Sequence, residues 1–143
     1  MKCAADPGKF KTGFVLTEDD GNLIFSAVIP AEKHSEFVRA LETGNSVPLE
    51  KWRREGNLPE KIEVNEILLG SGTTHKEFQK MLEGKLSVRI VDEYGTTLEG
   101  RKLYWKLHPP KGLLKLFPTS LRTPPRDIDD LAAWAIILKS LAE

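Results

Sequence analysis

Short runs of apolar residues, separated by turn-forming residues, open the chain. Residues 1–6, 11–18 and 23–29 each read as a strand, and the first of them ends at Asp-Pro-Gly. The segment DDGN at 19–22 is a strong turn signal, because its residue types tolerate positive φ. Since the connections are too short for parallel crossovers, the three segments are predicted to pair as an antiparallel meander.

The pattern then changes to an alternation of helices and strands. Apolar residues at helical spacing predict the helices, and Thr74 and Thr96 each stand three residues before a glutamate, which is the spacing of a capping box. The last helix is apolar almost all round, so it should be largely buried. Helices are predicted at 31–42, 75–82, 96–107 and 127–142, and two further strands at 66–70 and 87–93.

A polar segment at 44–59 separates the first helix from the later strands. Trp52 is its only large apolar anchor, so an irregular connection with one helical turn around 49–54 is expected. Hairpin strands followed by strand–helix alternation imply an α/β fold, here a mixed five-stranded sheet with helices on both faces. With no break in composition, residues 1–143 are predicted to form a single domain.

Composition narrows the class of protein. The 143 residues are 40% hydrophobic and 29% charged, as in an ordinary globular protein. The apolar stretches fall short of the roughly 20 residues that span a bilayer. The start of the chain has no basic segment before an apolar core, so a cytoplasmic protein without membrane contact is expected. The single cysteine, Cys3, is expected to be a small buried side chain.

The charges are balanced in number, with 21 basic and 21 acidic residues, but they are unevenly distributed. Residues 101–126 contain basic side chains and no acidic one, and an acidic cluster follows directly. Such a pairing suits an enzyme that holds a polyanion beside a bound metal, although a solvated surface explains it equally well. The basic residues are Arg101, Lys102, Lys106, Lys111, Lys115, Arg122 and Arg126.

Acidic residues stand at the ends of two predicted core strands. Asp6 closes the first strand, and Asp92 and Glu93 close the fifth. Adjacent side chains of a strand point to opposite faces, so only one of Asp92 and Glu93 can face a given site. A plain turn after Asp6 and a strand end facing water are the structural alternatives.

A third acidic group opens the last helix. Asp127 and Asp130 are three residues apart and are expected to share a helix face, while Asp129 faces elsewhere. Acids in the first helical turn are also favoured by the macrodipole, which is the structural alternative. In a mixed sheet of this order, however, all three acidic groups can lie side by side.

Converging carboxylates point to a divalent cation. Mg²⁺ and Mn²⁺ prefer oxygen ligands, and two such ions roughly 3.5–4 Å apart can activate a water and stabilise the leaving oxygen of a phosphodiester. This chemistry requires no Cys, His or Ser nucleophile. His34, His75 and His108 are scattered without zinc-ligand spacing and are expected at the surface.

Further residues are candidates for contact with a phosphate backbone. The GSGTT segment at 70–74 follows a strand and opens a helix, so its amides could hold a phosphate, although a turn with a helix cap explains it better. Tyr104 and Trp105 could stack on bases but are more typical of an amphipathic helix core. The candidate substrate-binding residues are Lys9, Lys11, Ser71, Thr96, Thr97, Arg122 and Arg126.

Three ordered motifs resemble those of the YqgF nucleases. They are DPGKFKTGFVL at 6–16, IVDEYGTT at 90–97 and PPRDIDDLAAWAIIL at 124–138, the last being the most specific. This family, also called RuvX or Holliday junction resolvase-like, belongs to the RuvC-like branch of the ribonuclease H-like fold. The resemblance covers nearly the whole chain. It implies that fold and a nuclease that uses Mg²⁺ or Mn²⁺ to process pre-16S rRNA or, by an older assignment, to resolve junctions.

The resemblance also implies roles for individual acids. Asp6 matches the first catalytic acid and Glu93 the second. The third is open: Asp129 matches the acid before the Ala-Ala pair in YqgF-like chains, whereas Asp127 and Asp130 reproduce the spacing of RuvC-like resolvases. The metal-ligand candidates are therefore Asp6, Glu93, Asp127, Asp129 and Asp130.

The sequence departs from the family pattern at several points. Tyr94 stands where many YqgF-like chains have arginine, and Gly70-Ser71-Gly72 replaces the usual Gly-Leu-Pro. The expected function is metal-dependent cleavage of structured nucleic acid, foremost the 5′ end of pre-16S rRNA, by a monomer or homodimer. Cleavage of branched DNA and a non-catalytic nucleic-acid-binding module of the same fold are the alternatives.

Overall fold

The computed structural model describes residues 1–72, 74–118 and 123–143, without the side chain of Leu114. Three short 3-10 turns, at Ala31–Lys33, Val47–Trp52 and Gly112–Leu116, connect the main elements. The strands are β1 Lys2–Pro7, β2 Lys11–Thr17, β3 Leu23–Pro30, β4 Arg53–Gly56, β5 Glu66–Gly70 and β6 Ser87–Val91. The helices are α1 His34–Thr43, α2 His75–Leu82, α3 Thr96–Leu107 and α4 Asp129–Leu141.

The strands form one mixed sheet in the order β4-β3-β2-β1-β5-β6. The first three pair as the predicted antiparallel meander, and β5 lies parallel to both β1 and β6. This is the strand order of the ribonuclease H-like fold, with β4 added beyond β3. The protein is thus an α/β fold in which the carboxyl ends of β1, β5 and β6 share one edge of the sheet.

The prediction of five strands is wrong, because β4 is a sixth. Its sequence, RREG, shows no apolar alternation, and its side chains are exposed or half-buried. The strand forms because its backbone pairs with β3, through Phe25↔Gly56 and Ser26↔Glu55. The 3-10 turn before it corresponds to the helical turn expected around residues 49–54.

Alternate side chains of the central strands pack against helices on the two faces of the sheet. Cys3 and Ala5 of β1 join a core that includes Phe37 of α1 and Phe78 of α2. Ala4 joins a second core, which contains residues of α3 and α4. Helices therefore cover both faces, and each buried large apolar side chain contributes roughly 1.5–3 kcal/mol.

Helix α4 is the most deeply buried helix among the described residues. All its side chains from Asp130 to Ile137 are buried, and Trp134 Nε1 donates to the carbonyl oxygen of Gly21 at 2.8 Å. The helix begins at Asp129, two residues later than predicted. Asp127 therefore precedes the helix, and the expectation that it shares a helix face with Asp130 is wrong.

The two predicted capping boxes do not form. At the start of α2, Thr74 occupies the N-cap position without a side-chain capping bond. At the start of α3, the N-cap residue is Gly95, with φ +79°, and Thr96 is already helical. The hydroxyl of Thr96 instead donates to the carbonyl oxygen of Glu93 at 2.7 Å. The bounds of α2 and α3 were nevertheless predicted correctly.

Among the described residues, none of the helices combines the length and the apolar character that a membrane crossing needs. Cys3 is buried, as predicted.

Candidate active site

Two carboxyl groups meet at the carboxyl edge of the parallel strands. Asp6 lies near the end of β1, and Glu93 lies in the turn after β6, which ends at Val91. Their carboxyl groups lie side by side, since a Cβ atom at Gly70 would approach an oxygen of each. Asp92 points away: it is exposed, and its Oδ1 accepts from the backbone N–H of Tyr94 at 3.0 Å. Glu93 is thus the member of the Asp92–Glu93 pair that faces Asp6.

The environment of Asp6 favours its protonated form. Burial, the hydrogen bond to Glu93 and the negative charges of Glu93 and Asp129 raise the pKa of Asp6 to about 8. Each cause acts against a second negative charge at this edge. The pair therefore holds a proton at neutral pH unless a cation replaces that proton.

Two glycines make room for the pair. A Cβ atom at Gly70 would lie 2.8 Å from Glu93 Oε2 and 3.3 Å from Asp6 Oδ1, and a Cβ at Gly72 would lie 3.1 Å from Glu93 Oε1. Between them, the backbone N–H of Ser71 donates to the carbonyl oxygen of Val91 at 3.1 Å, so it is already bonded within the sheet. The Gly-x-Gly spacing signalled a turn, but nothing in the sequence showed that its glycines lie against Glu93.

A third glycine brings the start of α4 to the same edge. Gly13 of β2 pairs with Asp6 of β1, and a Cβ at Gly13 would lie only 1.9 Å from the carbonyl oxygen of Asp129. Glycine thus lets the first turn of α4 rest directly on the strand beside Asp6. This contact joins residues that are far apart in the chain, so no local sequence pattern predicted it.

Asp127 and Asp129 bind cationic side chains. The ammonium of Lys11 lies 3.1 Å from Asp127 Oδ2 and 3.2 Å from Asp129 Oδ2. Arg54 of β4 lies 3.3 Å from Asp127 Oδ1. The two carboxylates and the hydrogen bonds they accept raise the pKa of Lys11, against the opposing effect of its partial burial.

Asp130 belongs to a separate, buried ion-pair network. Its Oδ2 accepts from the hydroxyl of Ser26 at 2.5 Å, and its Oδ1 accepts from Arg126 at 2.8 Å. The other side of the Arg126 guanidinium binds Glu55 at 2.7 Å, and His108 binds Glu55 at 2.9 Å. Burial raises the pKa of Asp130, although Arg126 and Ser26 oppose this effect. These contacts account for Asp130 and Arg126 without a metal or a substrate.

The remaining candidate residues lie in varied surroundings. Lys9 and Thr97 are exposed, whereas Thr96 is buried at the start of α3. Arg122 lies outside the described residues. Of the three histidines expected at the surface, His108 is exposed, whereas His34 and His75 are half-buried. His34 bonds to the Thr12 hydroxyl at 2.7 Å and its ring packs edge-on against Phe78. His75 Nδ1 lies 2.6 Å from the carbonyl oxygen of Gly72. Tyr104 is buried, in agreement with a core role.

The donor set at this edge fits a hard divalent cation in part. Among the residues that the structure describes, no group of three or more His, Cys, Asp and Glu side chains is placed to hold a metal ion. The Asp6–Glu93 pair alone nevertheless suits Mg²⁺ or Mn²⁺, because Mg²⁺ commonly binds through one or two carboxylates, several waters and substrate phosphate. Burial and the neighbouring negative charges of Glu93 and Asp129 raise the pKa of Asp6, and a cation would neutralise those charges.

The fold and the site together define an α/β protein with a six-stranded mixed sheet, ribonuclease H-like in strand order, and a carboxyl pair at its carboxyl edge. Neither a scan against protein-family models nor a search of curated proteins finds a match.

Proposed function

We propose that the protein is a metal-dependent nuclease that hydrolyses phosphodiester bonds in structured nucleic acid, acting on the 5′ end of pre-16S rRNA. The observation that carries this proposal is the meeting of Asp6 and Glu93, from separate motifs, at the carboxyl edge of a sheet in ribonuclease H-like order. The same two residues match the first two catalytic acids in the resemblance to the YqgF nucleases.

In this proposal Asp6 and Glu93 hold the cation. Mg²⁺ or Mn²⁺ held there, as one ion or a pair, would supply an activated water and charge stabilisation for the leaving oxygen. Asp6 is partly buried beside Glu93, and Gly70 and Gly72 leave the space that the two carboxyl groups occupy. The exposed Lys9 lies on the hairpin beside Asp6, where its charge attracts a phosphate backbone.

RNA is the favoured substrate over branched DNA. A four-way junction needs two matched cuts, which RuvC-like resolvases make as symmetric dimers, and the sequence shows no clear self-complementary surface. Processing of an rRNA precursor requires one cut at a time and is compatible with a monomer.

One observation favours a second candidate, a nucleic-acid-binding module of the same fold without catalysis. Asp129, one of the candidates for the third acid, is paired with Lys11 and does not join Asp6 and Glu93 within hydrogen-bond contact. A ribonuclease H-like site that never assembles its third acid would bind a substrate without cutting it.

Cleavage of a labelled RNA that spans the 5′ region of the 16S rRNA precursor separates these functions. Wild type should cut it with Mn²⁺ or Mg²⁺ and not with chelator, while Asp6→Asn and Glu93→Gln should reduce the rate at least about 100-fold. Asp92→Asn is the matched control, because it removes a carboxylate next to Glu93 that points away from the site, and its rate should equal that of wild type.

Junction DNA is tested in parallel. Cutting of the junction and not of the RNA would transfer the proposal to branched DNA. Folded wild-type protein that binds these substrates and cuts neither of them would establish the non-catalytic module instead.

A further inference from the structure

The ammonium of Lys11 lies where it neutralises the third acid of the site. It contacts Asp127 at 3.1 Å and Asp129 at 3.2 Å, and each of these side chains retains some exposure to solvent. Lys11 is the first residue of β2. Gly13, two residues later, lies against the backbone at the start of α4. The ion pair therefore spans the same strand–helix contact that brings Asp129 towards Asp6.

Asp129 is close enough to the carboxyl pair to act on it electrostatically. Its negative charge is one of the causes of the high proton affinity of Asp6. Asp129 is thus the carboxylate best placed to join Asp6 and Glu93 around a cation. Lys11 contacts this carboxylate at its Oδ2.

Asp127 would keep a partner if Lys11 moved away. Arg54 lies 3.3 Å from Asp127 Oδ1 and also donates to its Oδ2 at 3.5 Å. Loss of Lys11 would therefore free Asp129 while Asp127 remained neutralised. Ion pairs with partly exposed lysine are weak and the lysine stem is flexible, so such an exchange is accessible at ordinary temperature.

We propose that Lys11 competes with the divalent cation for Asp129, and that a substrate phosphate relieves this competition by taking the lysine. The inference rests on the proposed function, since it assumes that Asp6 and Glu93 bind the cation. Without nucleic acid, Lys11 holds Asp129 and weakens metal binding. With nucleic acid, a phosphate oxygen replaces the carboxylate at Lys11, and Asp129 turns to the cation. Binding of metal and of substrate therefore strengthen each other by the same factor.

Titration of the full-length protein with Mn²⁺, followed by the electron paramagnetic resonance signal of free Mn²⁺, measures this competition directly. Lys11→Gln should bind Mn²⁺ about two- to fivefold more tightly than wild type, which is the factor expected for loss of a weak ion pair. Lys9→Gln makes the same change of charge two residues away and should stay within about 1.5-fold of wild type. Lys11→Arg keeps a cation at this position and should retain wild-type affinity.

The same titration with a phosphorothioate RNA oligonucleotide, which resists cleavage, tests the coupling. The oligonucleotide should tighten Mn²⁺ binding by wild type more than it tightens binding by Lys11→Gln. An equal effect on both proteins would overturn the role of the phosphate. Thermal melting of each variant confirms that the protein remains folded.

The outcomes also separate this inference from the proposed function. Wild type that binds no Mn²⁺, or binding that persists unchanged in Asp6→Asn, would remove the metal site itself. Mn²⁺ binding that is lost in Asp6→Asn, combined with equal affinities of Lys11→Gln and Lys9→Gln, would overturn the competition by Lys11 alone.

Discussion

At the scale of single residues, protonation of Asp6 is linked to folding. In the unfolded chain an aspartate titrates near its ordinary pKa of about 3.9, whereas burial and Glu93 raise the pKa of Asp6 to about 8 in the folded protein. The folded state therefore binds a proton that the unfolded state has released between these two values. The stability that this proton contributes is fully present below about pH 4 and is lost as the pH rises towards 8.

Replacement of Asp6 by asparagine should consequently stabilise the metal-free protein in a pH-dependent way. Near pH 8 the variant should gain at least about 1 kcal/mol, or roughly 2–4 °C in melting temperature, because a neutral amide replaces a charged group beside Glu93. Near pH 4 most of the gain should be lost, since Asp6 is then protonated in the folded state and about half protonated in the unfolded chain. Thermal melts from pH 4 to 8.5 in chelator, with Asp92→Asn as control, measure this difference. A gain that is constant across this range would contradict the linkage.

The sequence was informative about individual acids but not about their partners. Asp6 and Glu93 could be singled out because each closes a strand or precedes a recognisable motif. The contacts of Asp129 with Lys11, and of Asp130 with Ser26 and Arg126, join residues from different elements. Which carboxylate becomes buried depends on where α4 begins, and a shift of two residues is within the usual error of a boundary.

At the scale of elements, the Asp130 network fixes the start of α4 to the antiparallel half of the sheet. Ser26 belongs to β3 and Glu55 to β4, so one buried carboxylate and one guanidinium join three elements. A buried ion pair need not stabilise a protein relative to an apolar replacement, but removal of one partner leaves an uncompensated charge.

Arg126→Met should therefore destabilise the protein by about 3 kcal/mol, because Asp130 would remain buried without its cation. The double variant Arg126→Met, Asp130→Asn should recover part of this loss, since the unpaired charge is then absent. Chemical denaturation of Arg126→Met, Asp130→Asn and the double variant gives the coupling energy between Arg126 and Asp130. A loss of less than about 0.5 kcal/mol in Arg126→Met would show that water or another cation compensates Asp130.

The secondary structure was largely predictable, and the exceptions have a common cause. The antiparallel meander and α2 could be predicted because their runs of apolar residues end at residues that form turns or end helices. Strand β4 was missed because RREG has no buried face and is held by backbone pairing to β3 and by ion pairs of Arg54 and Glu55 to residues 126 and 127. Elements held mainly by long-range polar contacts leave no periodic signal.

At the scale of the whole molecule, the proposed site links cation binding to global stability. A ligand that binds only the folded state stabilises it by about 2.7 kcal/mol at a concentration 100 times its dissociation constant. Protons and cations compete for Asp6, so a divalent cation should bind more tightly as the pH rises towards 8.

Saturating Mg²⁺ or Mn²⁺ should accordingly raise the melting temperature, and the rise should be larger at pH 8 than at pH 6. Asp6→Asn should abolish most of it, because the variant lacks the carboxylate that the cation is proposed to use. Differential scanning calorimetry with and without the cation measures both effects, and NaCl at equal ionic strength controls for screening. A rise that survives in Asp6→Asn would place the responsible cation elsewhere.

The contact between Gly13 and the carbonyl oxygen of Asp129 has a consequence for recognising related chains. The carbonyl oxygen occupies the space that a Cβ atom at residue 13 would need. Any side chain at this residue is therefore incompatible with the observed position of α4. The glycine seven residues after Asp6 and the acid that opens the last helix therefore depend on each other structurally, although they lie at opposite ends of the sequence. A chain that keeps the acids but carries a larger residue at that glycine must hold its last helix farther from the sheet.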